Sequence, residues 1–233
     1  MSAMIGLFGK PVLPGRVKTR LCPPLTHDEA ATLYAAFLGD LANLLHQSVP
    51  ESWILFSDDV SQQKATWPKK AQLPRLAPQV GDDLGTRMVN AMDFLLETGA
   101  DAAFLLGSDH PSLLPRHLAD AQNLLKEKDV VLGPSRDGGY YLVGWRREAH
   151  ARATSMFDGV TWSTGTVFDR TIENLDPLGL SLGCTEIWYD VDTIDDLQFL
   201  KSHLEALRRS ESDPDLSPKT WAQLQNLKSR NYL

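Results

Sequence analysis

Four basic side chains crowd one short segment of this sequence. Residues 9–21, GKPVLPGRVKTRL, place Lys10, Arg16, Lys18 and Arg20 within eleven residues, directly after the apolar run MIGLFG. Gly9 and Gly15 open backbone conformations closed to other residues, and Pro11 and Pro14 stiffen the loop. Backbone N–H groups presented there can cradle phosphates beside the cations. The spacing matches neither GxxxxGK[ST] nor GxGxxG, which excludes a P-loop or a dinucleotide fingerprint. Lys10, Gly15, Arg16, Lys18 and Arg20 are therefore candidate phosphate-binding residues; the bland alternative is a solvated basic loop. Carboxylates stand at two other places. LLGSDHP at 105–111 brings Asp109 just past an apolar run, and Asp190 and Asp192 in YDVDT alternate so as to share one face of an extended segment. Mg²⁺, or Mn²⁺, needs only one or two protein carboxylates when phosphate oxygens and waters complete its shell. Asp109 and Asp192 are the candidate metal ligands, with Asp190 ranked behind Asp192. Singly, Asp109 also reads as a turn residue before Pro111, and Asp192-Thr193 as the cap of a helix with Asp195 and Asp196 in its first turn.

Two further segments can contact substrate. Asp137, in SRDGGYY, can orient an acceptor hydroxyl or take its proton, and Gly138 and Gly139 can let backbone approach a ligand closely. Asp-Gly is equally a hairpin turn. Trp162, in WSTGT, offers a flat surface for a sugar or base, or a core side chain. GDDLG at 81–85, with Arg87 one turn on, reads mainly as a helix cap. With Lys18 gathering phosphates and Asp109 holding a metal, the catalytic candidates are Lys18, Asp109 and Asp137, and the chemistry is positioning and charge neutralisation. No GxSxG elbow is present and Ser108 has no evident base, so hydrolase chemistry is unsupported.

These residues need elements to hold them. MIGLFG (4–9), SWILFS (52–57) and AAFLLG (102–107) are short apolar runs of the kind found in strands buried on both faces. Thr26-His-Asp-Glu29 forms a capping box ahead of a helix carrying Ala30, Leu33, Tyr34, Phe37, Leu41 and Leu44. Further helices are expected at 84–96, about 115–126, 166–175 and after Thr193. A weaker extended piece lies near 72–80, and strands are expected at 129–133, 139–145 and 185–191. Strand–helix alternation predicts an α/β fold: a three-layer α/β/α sandwich with a mostly parallel sheet and ligands outside the carboxyl ends of the strands. Residues 1–207 read as one nucleotide-binding domain, and 208–233 as a charged linker with a short terminal helix near 218–228.

Composition narrows the class. The chain has 233 residues, 42% hydrophobic and 23% charged, with a formal net charge of −7. That balance argues against a general nucleic-acid partner. No apolar run approaches the roughly 18 residues of a membrane span. No secretory signal is legible, so a cytoplasmic location is expected. Cys22 and Cys184 are too few and too far apart for a disulfide framework and read as free thiols.

The set GKPVLPGRVKTRL, GSDHP, GPSRDGGYYLVG, WSTGT and YDVDTIDDL, spanning 9–197, resembles a family of small bacterial transferases of the GT-A, nucleotide-diphospho-sugar transferase fold. Its members are usually labelled glycosyltransferase or rSAM/selenodomain-associated transferase. Similar loops occur in the guanylyltransferases that make molybdenum cofactor dinucleotide or activate 2-phospholactate. The resemblance implies that Lys18 and Arg20 contact nucleotide phosphates and that Asp109 and Asp192 bind Mg²⁺. The sequence departs from the guanylyltransferase pattern in lacking a LAGGxSxRMGxxK run, and from a strict DxD in that His110 and Pro111 follow Asp109. The expectation is a Mg²⁺-dependent transferase acting on a nucleoside triphosphate or nucleotide sugar and a small-molecule acceptor, by glycosyl or nucleotidyl transfer. The alternative is a nucleotide-binding module without catalysis.

Overall fold

The computed structural model describes residues 1–49, 51–68, 72–211, 213, 215–229 and 232. Seven strands form one sheet: β1 (Ala3–Gly9), β2 (Trp53–Ser57), β3 (Leu76–Pro78), β4 (Ala102–Gly107), β5 (Val130–Pro134), β6 (Tyr140–Arg146) and β7 (Leu182–Cys184), in the order β3-β2-β1-β4-β6-β5-β7. All neighbours pair in parallel except β6, which runs antiparallel to both β4 and β5. The chain lays β1, β2 and β3 outward in one direction, then crosses back to place β4 on the other side of β1. Loops leaving β1 and β4 therefore diverge, and a crevice opens at their carboxyl ends.

Helices cover both faces. The α1 (His27–Ser48), α4 (Pro115–Leu124), α7 (Ile194–Ser210) and α8 (Pro218–Ser229) helices pack with Leu7, Leu55, Phe104 and Leu106 in one core. On the other face, α3 (Leu84–Glu97), α5 (His150–Ala153) and α6 (Val167–Leu175) pack with Phe56, Leu105, Val143 and Trp145. Burial on both faces is why the central strands read as unbroken apolar runs. The capping box at Thr26 forms as expected, with Glu29 N donating to Thr26 Oγ1 at 3.2 Å and Thr26 N to Glu29 Oε2 at 2.8 Å. A second box, Thr193 with Asp196, starts α7.

Several segments depart from or refine the expected elements. The strand expected at 185–191 is absent; β7 lies earlier, and the later segment contributes one isolated parallel bridge, Ser135 to Trp188. A strand sends successive side chains to opposite faces, but Trp188 and Tyr189 are both buried in the same core and share Ser112: Trp188 Nε1 donates to its Oγ at 3.1 Å and that Oγ donates to Tyr189 Oη at 3.0 Å. A short helix, α2 (Val60–Thr66), capped by Asp59, lies between β2 and β3, where no helix is expected. At the C-terminal end α7 runs past residue 207 to Ser210, while the terminal helix expected near 218–228 forms as α8 and docks on α1. The buried Asp40 carboxylate accepts from Lys219 N at 3.2 Å and Thr220 N at 2.7 Å, while Leu224 and Leu227 enter the α1 core. Within the expected linker, residues 212 and 214 lie outside the described residues. Among the described residues no helix is long and apolar enough to cross a membrane.

Candidate active site

A cleft of about 580 Å³ opens at the carboxyl ends of β1 and β4, within the size range of small-molecule sites. At its floor the Lys18 ammonium lies 2.6 Å from Asp109 Oδ1 and 2.9 Å from Asp192 Oδ1, and donates to Val191 O at 2.7 Å. Residues separated by 174 positions thus meet on one nitrogen. Lys18 reaches them from a left-handed backbone, φ 49° and ψ 36°, a conformation that costs a non-glycine residue on the order of 1 kcal/mol and persists where surrounding contacts impose it. Its side chain is 4% exposed, so it is a buried counter-ion here and not a loop cation in solvent. Burial works against its charge, but Asp109 and Asp192 outweigh that and hold the ammonium above its ordinary pKa. For Asp109, burial pushes upward and Lys18 more than compensates, leaving the carboxyl below its usual range.

The remaining basic residues stand higher. Lys10 and Arg16 are exposed on the cleft wall and form no salt bridge among the described residues, whereas Arg20 Nη1 lies 3.3 Å from Asp192 Oδ2. Gly15 does not line the cleft; its φ of +75° turns the loop, where Arg16 N donates to Leu13 O at 3.0 Å. Asp190 and Asp192 part company. Asp190 Oδ1 accepts from Ser135 Oγ at 2.8 Å, away from Lys18, and burial, reinforced by the nearby Asp137, holds its carboxyl above the usual range. Of the two, Asp192 is the one that joins Asp109. His110 is 5% exposed and donates from Nδ1 to Tyr189 O at 2.9 Å, since a carbonyl can only accept. Burial lowers its pKa, so it is a neutral structural neighbour.

The opposite wall is the turn between β5 and β6. Asp137 lines the cleft and accepts from Gly139 N at 2.9 Å, while Ser135 N donates to Gly139 O at 3.0 Å. Gly139 also lines the cleft, but Gly138 does not. A Cβ on Gly138 would collide with Gly165 O, and its φ is +87°. This glycine serves the packing of the hairpin on the 163–166 loop. Trp162 is both wall and core: it lines the cleft, packs edge-on to Phe157 at 5.6 Å and covers Gly85. The 81–87 segment is a cap, with Thr86 N donating to Asp83 Oδ1 at 2.9 Å and Arg87 Nε to Gly81 O at 2.8 Å.

Two cleft residues carry no local sequence signal. Tyr34, at helical core spacing in α1, accepts from Lys10 N at 2.9 Å and shares a 2.9 Å hydrogen bond with Ser108 Oγ, tying the loops after β1 and β4 together. Gln79 donates from Nε2 to Gly9 O at 3.1 Å and Phe56 O at 3.0 Å, joining the ends of β1 and β2. Among the described residues no group of three or more His, Cys, Asp or Glu gathers as a metal cage. The two carboxylates, 42% and 32% exposed, instead suit a hard cation that brings phosphate oxygens and water with it.

Residues 40–164 match DUF2064, described as an uncharacterized protein conserved in bacteria. The chain belongs to that family. The matched stretch includes Asp109, Asp137 and Trp162, while Lys18 and Asp192 lie outside it. No curated protein matches the sequence. A Desulfovibrio desulfuricans G20 protein described as a nucleotide-diphospho-sugar transferase is 32% identical to this DUF2064 chain, covering 100% of it and 99% of its own length, with a TM-score of 0.85. More distant structures share the fold. A cytidylyltransferase from Leptospira borgpetersenii is 14% identical over 91% of this chain and 96% of its own, at a TM-score of 0.52. CMP:2-keto-3-deoxy-manno-octonic acid synthetase, complexed with CTP, is 14% identical over 88% and 99%, at 0.55. The DUF2064 chain therefore has the nucleotide-diphospho-sugar transferase fold.

Proposed function

We propose that the protein is a Mg²⁺- or Mn²⁺-dependent transferase that takes a nucleoside triphosphate or nucleotide sugar and passes part of it to a small acceptor. The observation that carries this reading is the meeting of Lys18, Asp109 and Asp192 at the crevice between β1 and β4, beneath Lys10 and Arg16. Asp109 and Asp192 would hold the cation, which when bound supplies charge neutralisation for a leaving phosphate. Lys10 and Arg16 grip the donor phosphates, and Lys18, released from one carboxylate, completes that grip. Asp137 orients the acceptor and Trp162 gives it a flat wall. Glycosyl and nucleotidyl transfer share this machinery and differ in the bond broken. The dense basic loop favours a triphosphate on charge grounds.

A non-catalytic nucleotide-binding module is the second reading, favoured by the Lys18 ammonium filling the space between the two carboxylates. One experiment separates them. Thermal unfolding is followed with Mg²⁺ and a panel of nucleoside triphosphates and nucleotide sugars; a ligand at 100 times its Kd stabilises by about 2.7 kcal/mol. The transferase reading expects a shift with one donor class, its Mg²⁺-dependent part lost in Asp109→Asn, and release of pyrophosphate or nucleoside diphosphate on turnover. A shift without turnover for any acceptor supports the module, and no shift with any ligand overturns both.

A further inference from the structure

The cleft is electrically lopsided. Among the described residues, each Lys and Arg that lines it, Lys10, Arg16, Lys18 and Arg20, comes from the loop after β1. The facing wall is built from Ser135, Asp137, Trp162, Ser163, Thr164 and Asp190, and among the described residues it contributes no Lys or Arg to the lining. Asp109 and Asp192 are already matched by Lys18 and Arg20, but Asp137 and Asp190 have no salt bridge among the described residues. The two walls are held apart by different anchors. Lys18 ties the basic loop to Val191 and the β4 end, whereas the hairpin is tied to the first turn of α6 through Phe168 N donating to Gly138 O at 2.8 Å. Donor phosphates therefore have one end to occupy, and the acceptor is left with the other.

From this charge division, and resting on the donor reading above, we infer that the acceptor is an uncharged, hydroxyl-bearing molecule and not a phosphorylated one. Carboxylates only accept hydrogen bonds and repel anions, so Asp137 and Asp190 select for O–H groups and against phosphate. The Ser135 and Thr164 hydroxyls, whose protons go to Asp190 Oδ1 and Thr161 O, keep lone pairs to accept from a ligand O–H, and the Trp162 ring offers apolar contact to the C–H face of a polyol or sugar. A wall built to receive a phosphate monoester would present arginine or lysine there.

The test uses the full chain with Mg²⁺ and whichever donor raises its unfolding temperature. Release of pyrophosphate or nucleoside diphosphate is followed with a pool of uncharged monosaccharides and polyols, and separately with the phosphate monoesters of the same compounds. The expected result is at least tenfold stimulation by the uncharged pool over the phosphorylated one, with that ratio falling at least tenfold in Asp137→Asn/Asp190→Asn. Stimulation by the phosphorylated pool equal to or above that of the uncharged pool, or by neither pool, overturns the inference. Failure of every donor to shift the unfolding temperature is seen before any acceptor is added, and counts against the donor reading itself.

Discussion

Replacing Lys18 by methionine removes a cation while keeping a side chain of similar length, and its consequence for metal binding can be worked out. Asp109 Oδ1 and Asp192 Oδ1 touch the same nitrogen at 2.6 and 2.9 Å, so they stand no more than about 5.5 Å apart. At that separation, and an effective dielectric of about 20, two negative charges repel by roughly 3 kcal/mol. In the native protein the ammonium cancels this, and an incoming cation must displace it. In Lys18→Met the repulsion is uncancelled and nothing is displaced. Both carboxylates reach solvent, at 42% and 32% exposed, which screens part of the effect. Keeping about half, or about 1.4 kcal/mol, corresponds to tenfold. The expected outcome is Mn²⁺ binding at least tenfold tighter in Lys18→Met, read from the free-ion signal by electron paramagnetic resonance near neutral pH, with circular dichroism confirming the fold. Adding Asp109→Asn returns the affinity to the native value or below. Unchanged or weaker Mn²⁺ binding in a folded Lys18→Met protein refutes the reasoning, because it means that Lys18 and the cation do not compete for the same oxygens.

Two other perturbations probe the frame around the cleft. Gly138→Ala places a Cβ against Gly165 O and demands a positive φ, so it should cost about 2 kcal/mol or more in urea unfolding and speed hydrogen exchange in the 163–166 loop; near-native stability would mean that the hairpin does not lean on that loop. Asp129 gives a pH signature. Hydrogen bonds from Ser181, then Arg146, hold its carboxyl down to about 2, below the roughly 3.9 of an unfolded aspartate. A depressed carboxyl adds stability that is fully present above the unfolded value and lost as pH falls through the folded one. Asp129→Asn should therefore be less stable by on the order of 1 kcal/mol at neutral pH, the side chain being 18% exposed, and the difference should vanish between about pH 4 and pH 2. A deficit unchanged at pH 2 would mean that the lost interaction is not one of charge.

How far such a site can be read from sequence depends on whether its information is local. The strands at 4–9, 52–57 and 102–107 announce themselves because burial on both faces demands continuous apolar side chains, and Thr26 and Thr193 because a cap is decided within four residues. Lys18, Asp109 and Asp192 were legible as types at strand ends. Their closure into one cluster was not, because it spans 174 positions and is made by the crossing from β3 to β4, which no window of sequence contains. Long separations, 74 positions from Tyr34 to Ser108 and 70 from Gln79 to Gly9, likewise hid the cleft roles of a core-spaced helix residue and of a residue just past β3. The misread segment at 185–191 fails for the opposite reason. Its residue types favour a strand, but two adjacent aromatics are pulled to one side by Ser112, 76 and 77 residues away, and tertiary packing overrides the local preference. That departure is what frees Asp190 and Asp192 from a shared strand face, sending one to Ser135 on the anionic wall and the other to Lys18 on the cationic one. The irregular backbone just before α7 thus divides the cleft into its two ends, and a regular strand there would have directed both carboxylates the same way.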